Sequence, residues 1–404
     1  MKKNILYITY DGILEPLGNS QVYNYIKKLS NNYNFFIISF EKKDDFDNKK
    51  KILSKKQELN SNNINWQSLI YHKRPAILST FYDIIVGLFY TIKIVKKNNI
   101  NIIHARSYTP CLIALIIKIF FKIPYVFDMR GFWADEKIES KTWKKNSLIY
   151  VFTKFLEKKF IINSNYIILL TKSSLLELKK LSFFKESKKT SIISTCVSLD
   201  TFKFKSESIN YEYIKKNKKI VLGYVGSVRL WYRFDLVVLF FKYLIQIYPN
   251  SILHIINKDD HEYIKNHLMH KNIHTKNYLI ETSDHNEIAN KIIKMDVGIF
   301  FITPSFSKKA SNPTKLGEFL SSGIPCITND GIGDINFLIK ENQCGFLIEN
   351  INQKINVDLV QKCIKNIFDN DLSLNCRKTA EKYLSLDKAV SKLDVIYKKI
   401  LING

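Results

Sequence analysis

Short apolar runs alternate with longer stretches of helical periodicity along almost the whole chain. Within the runs, apolar residues follow one another without the polar alternation of a half-exposed sheet. Unalternated apolar strands separated by helices are typical of parallel sheets that are covered on both faces. The runs fall into two series and predict strands at 5–9, 35–40, 101–104, 125–127 and 166–170, then at 219–224, 252–256, 297–301, 326–328 and 345–348.

Between these runs, apolar residues recur at helical spacing. Two segments, 75–95 and 111–127, are apolar enough to resemble membrane spans. Asp83 and Lys93 interrupt the first and Pro124 breaks the second, so we expect a packed helix in the first and a helix followed by a strand in the second. The other helix predictions cover 20–30, 110–122, 147–163, 235–247, 286–295, 358–369 and 386–402.

The two series of strands predict two similar α/β domains, an N-terminal one over 1–196 and a C-terminal one over 219–385. The polar stretch 197–218 is predicted to link them, and 386–404 to form a helix that crosses back to the N-terminal domain. Ligands of parallel sheets collect at the carboxyl ends of the strands. Two such domains facing each other would enclose their ligands in a cleft.

The 404 residues include 62 Lys and Arg against 37 Asp and Glu, which gives a net charge of +25. This excess indicates an anionic partner, either nucleic acid, an acidic membrane surface or a phosphorylated substrate. The alternative is a compositional bias, because lysine is abundant in every part of the chain. The six cysteines lack metal-ligand spacing, which is typical of apolar fillers in a reducing compartment, and we expect a cytoplasmic protein.

Three predicted strands of the N-terminal domain lead directly into polar residues. The first precedes a loop with Gly12 and Gly18, where backbone N–H groups and a helix N-terminus favour an anion or sugar oxygens. The next two deliver His104 and Arg106, then Asp128. Because the ends of parallel strands meet at one edge of a sheet, we expect these groups to form a site.

The C-terminal domain repeats this arrangement. Gly226 and Ser227 form a turn after a strand, and Arg229 and Arg233 follow, with planar guanidinium groups that suit a diphosphate. The segment SNPTKLGEFLSSGIPCI, residues 311–327, predicts a loop, a short helix and a buried strand.

Within that segment the start of the helix, Thr314 to Leu316, would offer N–H groups to a phosphate while Lys315 adds charge. Glu318, one turn further, would bind both hydroxyls of a ribose. Gly323 is predicted to end the helix so that the next strand can enter the sheet.

These motifs resemble, in order and spacing, those of glycosyltransferase family 4, the retaining GT-B enzymes, and match best the branch that builds bacterial surface polysaccharides. The resemblance covers nearly the whole chain and is carried by DGILEPLGNSQV, IIHARSY, VFDMRGFWADE, GYVGSVRLWY and SNPTKLGEFLSSGIPCITNDGIGD. It implies a GT-B fold, in which two Rossmann-like parallel-sheet domains face each other across a cleft. It also implies transfer from a UDP- or GDP-linked sugar to a glycan or polyprenyl-linked acceptor, with no metal ion or other cofactor.

The resemblance further implies roles for individual residues. Catalysis is assigned to His104, Arg106 and Asp128, and acceptor binding to Asp11, Arg130 and Asp135. Donor binding is assigned to Gly18, Gly226, Ser227, Arg229, Arg233, Thr314, Lys315, Leu316 and Glu318.

The chain departs from the family pattern at three positions. Ala310 stands where the family has the first glutamate of its Glu–seven residues–Glu signature, and Ser227 replaces a basic residue after the glycine turn. Arg106 replaces the second histidine of a His-x-His pattern. These changes leave the identity of the sugar open.

Other interpretations compete with this one. Asp45-Phe46-Asp47 is a DxD motif, which holds a metal and a diphosphate in GT-A enzymes, but it lies in a lysine-rich stretch that predicts an exposed helix start. The basic segment 47–57 predicts docking on an anionic membrane surface, with a solvated lysine face as the alternative. Alternative functions are a GT-B-fold nucleotide-sugar epimerase, which needs no acceptor, and a basic nucleic-acid-binding protein, for which no recognised module is present.

Overall fold

The computed structural model describes residues 2–204, 214, 216–258, 260–283, 287–368, 370 and 372–403. The chain divides into two compact units. The N-terminal unit comprises Met1–Ser194 together with Asp387–Gly404, and the C-terminal unit comprises Thr195–Leu386. Much of the predicted linker, at 205–213 and 215, lies outside the described residues.

The N-terminal unit contains a seven-stranded sheet in which all described pairings are parallel, in the order β3-β2-β1-β4-β5-β6-β7. The five strands predicted in this half are confirmed. The two that the pattern does not predict, β3 and β7, lie at the edges, where a strand needs fewer buried side chains. The strands are β1 (Lys3–Thr9), β2 (Tyr33–Glu41), β3 (Ile64–Ile70), β4 (Ile100–Arg106), β5 (Tyr125–Met129), β6 (Tyr166–Leu169) and β7 (Thr190–Ile192).

Helices connect these strands, and a π-helical turn at Asn19–Tyr23 joins the first two helices, α1 and α2. They are α1 (Pro16–Gly18), α2 (Asn24–Leu29), α3 (Lys43–Asp47), α4 (Lys49–Ser61), α5 (Ala76–Lys97), α6 (Tyr108–Phe121), α7 (Trp133–Glu139), α8 (Leu148–Asn163) and α9 (Lys172–Lys179). Right-handed crossovers place the helices between β1, β2 and β3 on one face of the sheet. The strand order reverses at β1, so α5, α6 and α8 lie on the other face.

The C-terminal unit contains a six-stranded sheet, again with parallel pairings, in the order β10-β9-β8-β11-β12-β13. Its strands are β8 (Val221–Val225), β9 (Ile252–Ile256), β10 (Tyr278–Glu281), β11 (Val297–Ile299), β12 (Cys326–Asn329) and β13 (Gly345–Ile348). The helices are α10 (Phe234–Ile247), α11 (His261–His270), α12 (Ile288–Ile292), α13 (Thr314–Ser321), α14 (Val357–Phe368) and α15 (Ser373–Thr379). The last helix, α16 (Leu386–Asn403), follows and belongs to the N-terminal unit.

The helix α13 is short and buried along its length, and it ends as predicted. Gly323 has φ +77°, in the left-handed region that glycine adopts without a steric penalty. Its N–H donates to the carbonyl of Leu320, and the N–H of Ile324 donates to that of Phe319, at 3.0 Å each. This closure turns the chain directly into β12.

The helix α5 is where the sequence prediction is partly wrong. The segment is a helix, as expected, but it packs along one narrow side only, and just 22% of its most apolar 18-residue window is buried. By length and composition alone, α5 is the one helix among the described residues that could cross a membrane. The second segment forms α6 and then β5, as predicted.

Candidate functional site

The N-terminal unit brings five of the predicted residues together at the carboxyl edge of its sheet: Asp11, His104, Arg106, Asp128 and Arg130. The strands β1, β4 and β5 are neighbours, and their register sets Thr9 beside Arg106 and Arg106 beside Asp128. His104 lies on β4, two residues before Arg106. The expectation that separate strand ends deliver polar groups to one edge is confirmed.

Arg106 forms the centre of this cluster. It is 3% exposed, and its Nε donates to Asp11 Oδ2 at 3.1 Å while its Nη1 donates to Asp128 Oδ2 at 3.3 Å. Burial alone would lower the pKa of Arg106, but Tyr7, Asp128 and Asp11 raise it well above the usual range. The arginine is therefore a fixed cation that ties the loop after β1 to the end of β5.

His104 is held by aromatic side chains. Its ring stacks on Tyr7 at 4.3 Å between centroids, and its Nδ1 lies 2.8 Å from the Tyr397 hydroxyl of α16. Burial lowers the pKa of His104, although Asp128 raises it in part. The imidazole is therefore neutral at physiological pH, with its orientation fixed by Tyr7 and Tyr397.

Two buried polar atoms of this cluster find no hydrogen-bond partner among the described residues, His104 Nε2 and Asp128 Oδ1. Nε2 lies 3.5 Å from Asp128 Oδ2, and Oδ1 lies 3.5 Å from Arg130 Nη1. Burial would raise the pKa of Asp128, but Arg130, His104 and Arg106 together hold it well below its usual range. A buried carboxylate oxygen and a ring nitrogen with unused capacity are positions where hydroxyl groups of a ligand can bind.

Two other predicted residues lie in different surroundings. Asp135 accepts from Tyr150 and from Lys154, at 2.9 and 3.0 Å, in a separate network on α7 and α8. Gly18 is packed so closely that a Cβ atom would stand 1.9 Å from the carbonyl oxygen of Gly12. Packing alone thus requires a glycine at position 18.

The C-terminal unit forms a second cluster after β8. Gly226 has φ +95°, and a Cβ atom there would stand 3.5 Å from the Nζ of Lys315. The Gly226 carbonyl accepts from Asn257 at 3.0 Å, which fixes the turn beside β9. The turn and the start of α13 are therefore brought together, although 89 residues separate Gly226 from Lys315 (315 − 226).

The Lys315 ammonium is buried inside a cage of aromatic rings. Its Nζ lies 3.9 Å from the ring centroid of Tyr232, 4.6 Å from that of Tyr224 and 5.7 Å from that of Phe300. It has no hydrogen-bond partner among the described residues. Burial lowers its pKa to about 7, against a raising effect of Glu318. Rings attract a cation but accept no conventional hydrogen bond, so the ammonium keeps its donors for another group.

Glu318 lies one turn along α13 from Lys315 and is 7% exposed. Burial raises its pKa to about 7, and Lys315 opposes that shift. Helix residues three positions apart lie on the same side of the helix, so the amino group of Lys315 and the carboxyl group of Glu318 lie side by side. Such a pair of perturbed groups marks a functional-site candidate on physical grounds.

The two arginines predicted to bind phosphate already have partners. Arg233 makes a bidentate contact with Asp235, at 2.9 and 2.7 Å. Arg229 donates to Asp260 and lies 4.1 Å from the ring centroid of Tyr263. Both are surface pairs, which are weakly held and exchange readily.

The remaining residues predicted to bind the donor are Ser227, Leu316 and Thr314, and their local contacts differ. The Tyr224 hydroxyl donates to the carbonyl of Ser227, which braces the turn. Leu316 is fully buried in the core, and its N–H donates to Pro313 at 3.1 Å, so the structure gives it a packing role. Thr314 is the first residue of α13. The donor-binding roles of these residues stay predictions.

Sequence reasoning missed the aromatic residues of both clusters. Tyr224 and Tyr232 lie within the quoted motif GYVGSVRLWY, but nothing in their spacing shows that they surround a lysine of another helix. Tyr397 comes from α16, almost 300 residues after His104 (397 − 104 = 293). These contacts join residues that are distant in sequence, so no local signal in the sequence points to the rings.

The DxD motif forms no metal centre in the part of the chain that is described. Asp45 pairs with Lys51, and no group of three His, Cys, Asp or Glu residues is close enough to share an ion there. That no metal takes part stays a prediction.

Several solved structures share this fold at low sequence identity. Sucrose-phosphate synthase from Thermosynechococcus elongatus has a TM-score of 0.74 at 12% identity, with 100% of both chains covered. A glycosyltransferase from Rickettsia africae ESF-5 has a TM-score of 0.70 at 16% identity, again with 100% of both covered. Anabaena Alr3699/HepE, in complex with UDP and glucose, has a TM-score of 0.67 at 10% identity and covers 98% of this chain and 100% of its own.

No curated protein sequence matches the chain at a significant level. The family model for glycosyl transferases group 1 matches residues 205–383, which span most of the C-terminal unit. The two parallel-sheet units are those of the GT-B fold that the solved neighbours share. The chain therefore carries a glycosyl transferases group 1 domain and is an enzyme, a glycosyltransferase of GT-B fold.

Proposed function

We propose that this enzyme is a retaining transferase of glycosyltransferase family 4 that moves a sugar from a nucleoside-diphosphate donor to a glycan or lipid-linked acceptor. The C-terminal unit binds the UDP- or GDP-linked sugar, and the N-terminal unit binds the acceptor. The product belongs to a surface polysaccharide, either capsule, O-antigen or lipopolysaccharide. This assignment of branch and mechanism follows the motif resemblance.

The observation that carries the proposal is the caged ammonium of Lys315. A buried cation without hydrogen-bond partners among the described residues is costly unless a ligand supplies the missing anion. A diphosphate carries that charge and several acceptor oxygens. Glu318, presented beside it, suits the two hydroxyls of a ribose, so the pair matches adjacent parts of one nucleotide.

Further positive charge comes from Arg229 and Arg233. Each pairs with a single carboxylate, Asp260 or Asp235, and a diphosphate would compete for its guanidinium group. Fixed cations and backbone N–H groups stabilise the charge that develops on a departing diphosphate without a metal ion. The enzyme would accordingly keep its activity in EDTA.

In the N-terminal unit, the unpaired atoms of His104 and Asp128 support the binding of sugar hydroxyls. Asp128 stays ionised and accepts, and His104 is neutral and offers Nε2. Arg106 keeps both side chains in place. We assign these residues to substrate contact in the transfer step.

A uridine nucleotide is the first donor to test, because the HepE structure of similar fold was solved with UDP and glucose. In a thermal-shift series of UDP, GDP, UDP-glucose and GDP-mannose, a cognate nucleotide at about 100 times its Kd should add about 2.7 kcal/mol to the stability of the unit that binds it. Absence of any nucleotide effect would contradict the proposed donor site.

The epimerase alternative needs a separate measurement. Incubation with the identified nucleotide sugar should yield a glycosylated product only when an acceptor is added. An acceptor-independent change of the free or nucleotide-linked sugar into an epimer would favour the epimerase over the transferase.

A further inference from the structure

The helix α5 buries its small and polar residues and exposes its large apolar ones, which is the reverse of a helix at the surface of a water-soluble protein. Its buried row is made of small or polar residues at intervals of four, from Ser79 through Asp83, Gly87 and Thr91 to Val95. The opposite side is exposed and carries large apolar side chains. They are Ile77, Leu78, Phe81, Tyr82, Ile85 and Phe89.

The inward row is firmly fixed to the N-terminal unit. Asp83 accepts from the Tyr10 hydroxyl at 2.7 Å and from the His72 backbone N–H at 3.1 Å. Gly87 allows close packing, since a Cβ atom there would stand 2.8 Å from Ile113 and 3.0 Å from Phe40. These contacts hold α5 along the domain, so its outer side is displayed in place and the helix does not need to leave the fold.

A second apolar stripe lies on α8, in the same helical layer. Leu148, Val151, Phe152 and Phe155 recur at helical spacing and are all exposed, Leu148 at 90%. The helix α6 lies between α5 and α8 and exposes Phe120 at 75%. We call the outer side of α5, α6 and α8 the apolar face.

The charge of the apolar face has one sign. The acidic residues of these three helices are Asp83 and Glu157, and both are buried. The exposed charged side chains of the layer are lysines: Lys93, Lys96 and Lys97 on α5, and Lys158 and Lys159 on α8. Two further basic residues, Lys73 and Arg74, are exposed just before α5.

The geometry points to an anionic lipid bilayer as the occupant, and we propose that the apolar face docks the N-terminal unit onto it. Aromatic and aliphatic side chains with lysines at the margins suit a membrane interface, where apolar groups enter the acyl boundary and ammonium groups meet phosphates. A second copy of the chain would set lysines against lysines. A spanning orientation would expose the hydrogen-bonded row of Asp83 and Thr91 to lipid.

The face also opens towards the candidate site. Helices that follow strands in a parallel sheet begin at the carboxyl edge, so the N-terminal halves of α5 and α8 lie near the edge that holds Arg106. Asp83 of α5 binds Tyr10, the neighbour of Asp11. If the proposed function holds, a lipid-carried acceptor would reach this edge from the bilayer. The docking itself does not depend on that function.

The surface differs from the lysine segment 47–57 that the sequence singles out. Most of that segment lies in α4, on the opposite face of the sheet. There Lys51 pairs with Asp45, and Lys55 pairs with Glu58. Lys55 also lies 3.6 Å from the ring centroid of Tyr23. Lys51 and Lys55 therefore already have partners within the protein.

The test is sedimentation of the full chain with vesicles of phosphatidylcholine containing phosphatidylglycerol, in the absence of nucleotide and acceptor. Phe81→Ser, Phe89→Ser and Phe152→Ser, combined in one variant, should lower the partition coefficient at least about tenfold, because buried apolar area sets interfacial affinity. Binding should be weaker to pure phosphatidylcholine and should fall as salt rises.

The matched control reverses the charge of α4 with Lys49→Glu, Lys50→Glu and Lys51→Glu, which should leave most of the binding intact. Wild-type binding by the triple serine variant, no binding of the wild type, or loss confined to the α4 variant would each overturn the proposal. So would a dimer that forms without lipid and is abolished by the serine substitutions. Thermal unfolding of each variant without ligand confirms that it folds, and the nucleotide-induced thermal shift tests the proposed function separately.

Discussion

Replacing Lys315 by methionine should make the protein more stable while it loses its donor. Methionine has a similar length and suits the ring cage, but it needs neither water nor an anion. The lysine, by contrast, is buried without a hydrogen-bond partner among the described residues. A group built to meet a ligand commonly costs the free protein stability, so the two effects should have opposite signs.

The magnitude follows from the pKa of Lys315, which burial lowers from 10.5 to about 7. At about 1.4 kcal/mol per tenfold change in proton affinity, this disfavours the folded state by about 4 kcal/mol at pH 7. The substitution also forfeits the attraction to the rings and to Glu318, so we expect a net gain of about 2 kcal/mol. For a unit of this size, that raises Tm by about 4–8 °C.

The pH dependence has a defined sign. Between pH 7 and 10.5 the unfolded chain binds the lysine proton and the folded chain releases it, so the contribution of Lys315 to wild-type stability rises with pH in that window. At pH 9 the cost of burying the lysine falls to about half, and the advantage of the variant should shrink accordingly.

Calorimetry at pH 7 and pH 9, combined with titration of UDP, measures both effects. The affinity for UDP should fall about ten- to a hundredfold, as expected for a lost charged hydrogen bond. Lys340→Met, at an exposed lysine of the same unit, should change stability by no more than about 0.5 kcal/mol. A lower Tm for Lys315→Met, or wild-type affinity for UDP, would refute the reasoning.

Two further substitutions test the clusters separately. Glu318→Gln should weaken UDP binding about ten- to a hundredfold in titration calorimetry without loss of fold, since the carboxylate is assigned to the ribose, and an unchanged Kd would remove that role. Arg106→Met should lower the unfolding free energy of the N-terminal unit by about 3–5 kcal/mol in urea, because it removes the buried cation that is hydrogen-bonded to Asp128. Asp11→Asn replaces the exposed partner of the same arginine and should lower the unfolding free energy by less than about 1 kcal/mol. Equal losses of stability in the two variants would contradict the central role of Arg106 in the cluster.

The pattern of apolar residues was sufficient to predict the strands of the interior and the class of fold. Strands buried on both faces must be continuously apolar, so ten of the thirteen described strands stand out. The edge strands β3, β7 and β10 bury fewer side chains and give no such pattern. Parallel pairing then fixed where ligands gather, and His104, Arg106 and Asp128 could be predicted to meet because each terminates or follows a strand.

The surroundings of His104 and Lys315 depend on tertiary contacts and could not be predicted from the sequence. The rings around Lys315 come from β8, from the loop after it and from the residue that follows β11, and Tyr397 contacts His104 from the last helix. Contacts between residues that are distant in sequence leave no local periodicity to read.

The orientation of α5 was likewise outside the reach of the pattern. The small and polar residues Ser79, Asp83, Gly87 and Thr91 form a stripe along α5, and amphipathic patterning alone would turn such a stripe towards solvent. Gly87 and the hydrogen bonds of Asp83 turn the small side inward, and the large aromatic side chains are consequently left outside. Close approach of the backbone, a property of the fold rather than of any single residue, decided which side that would be.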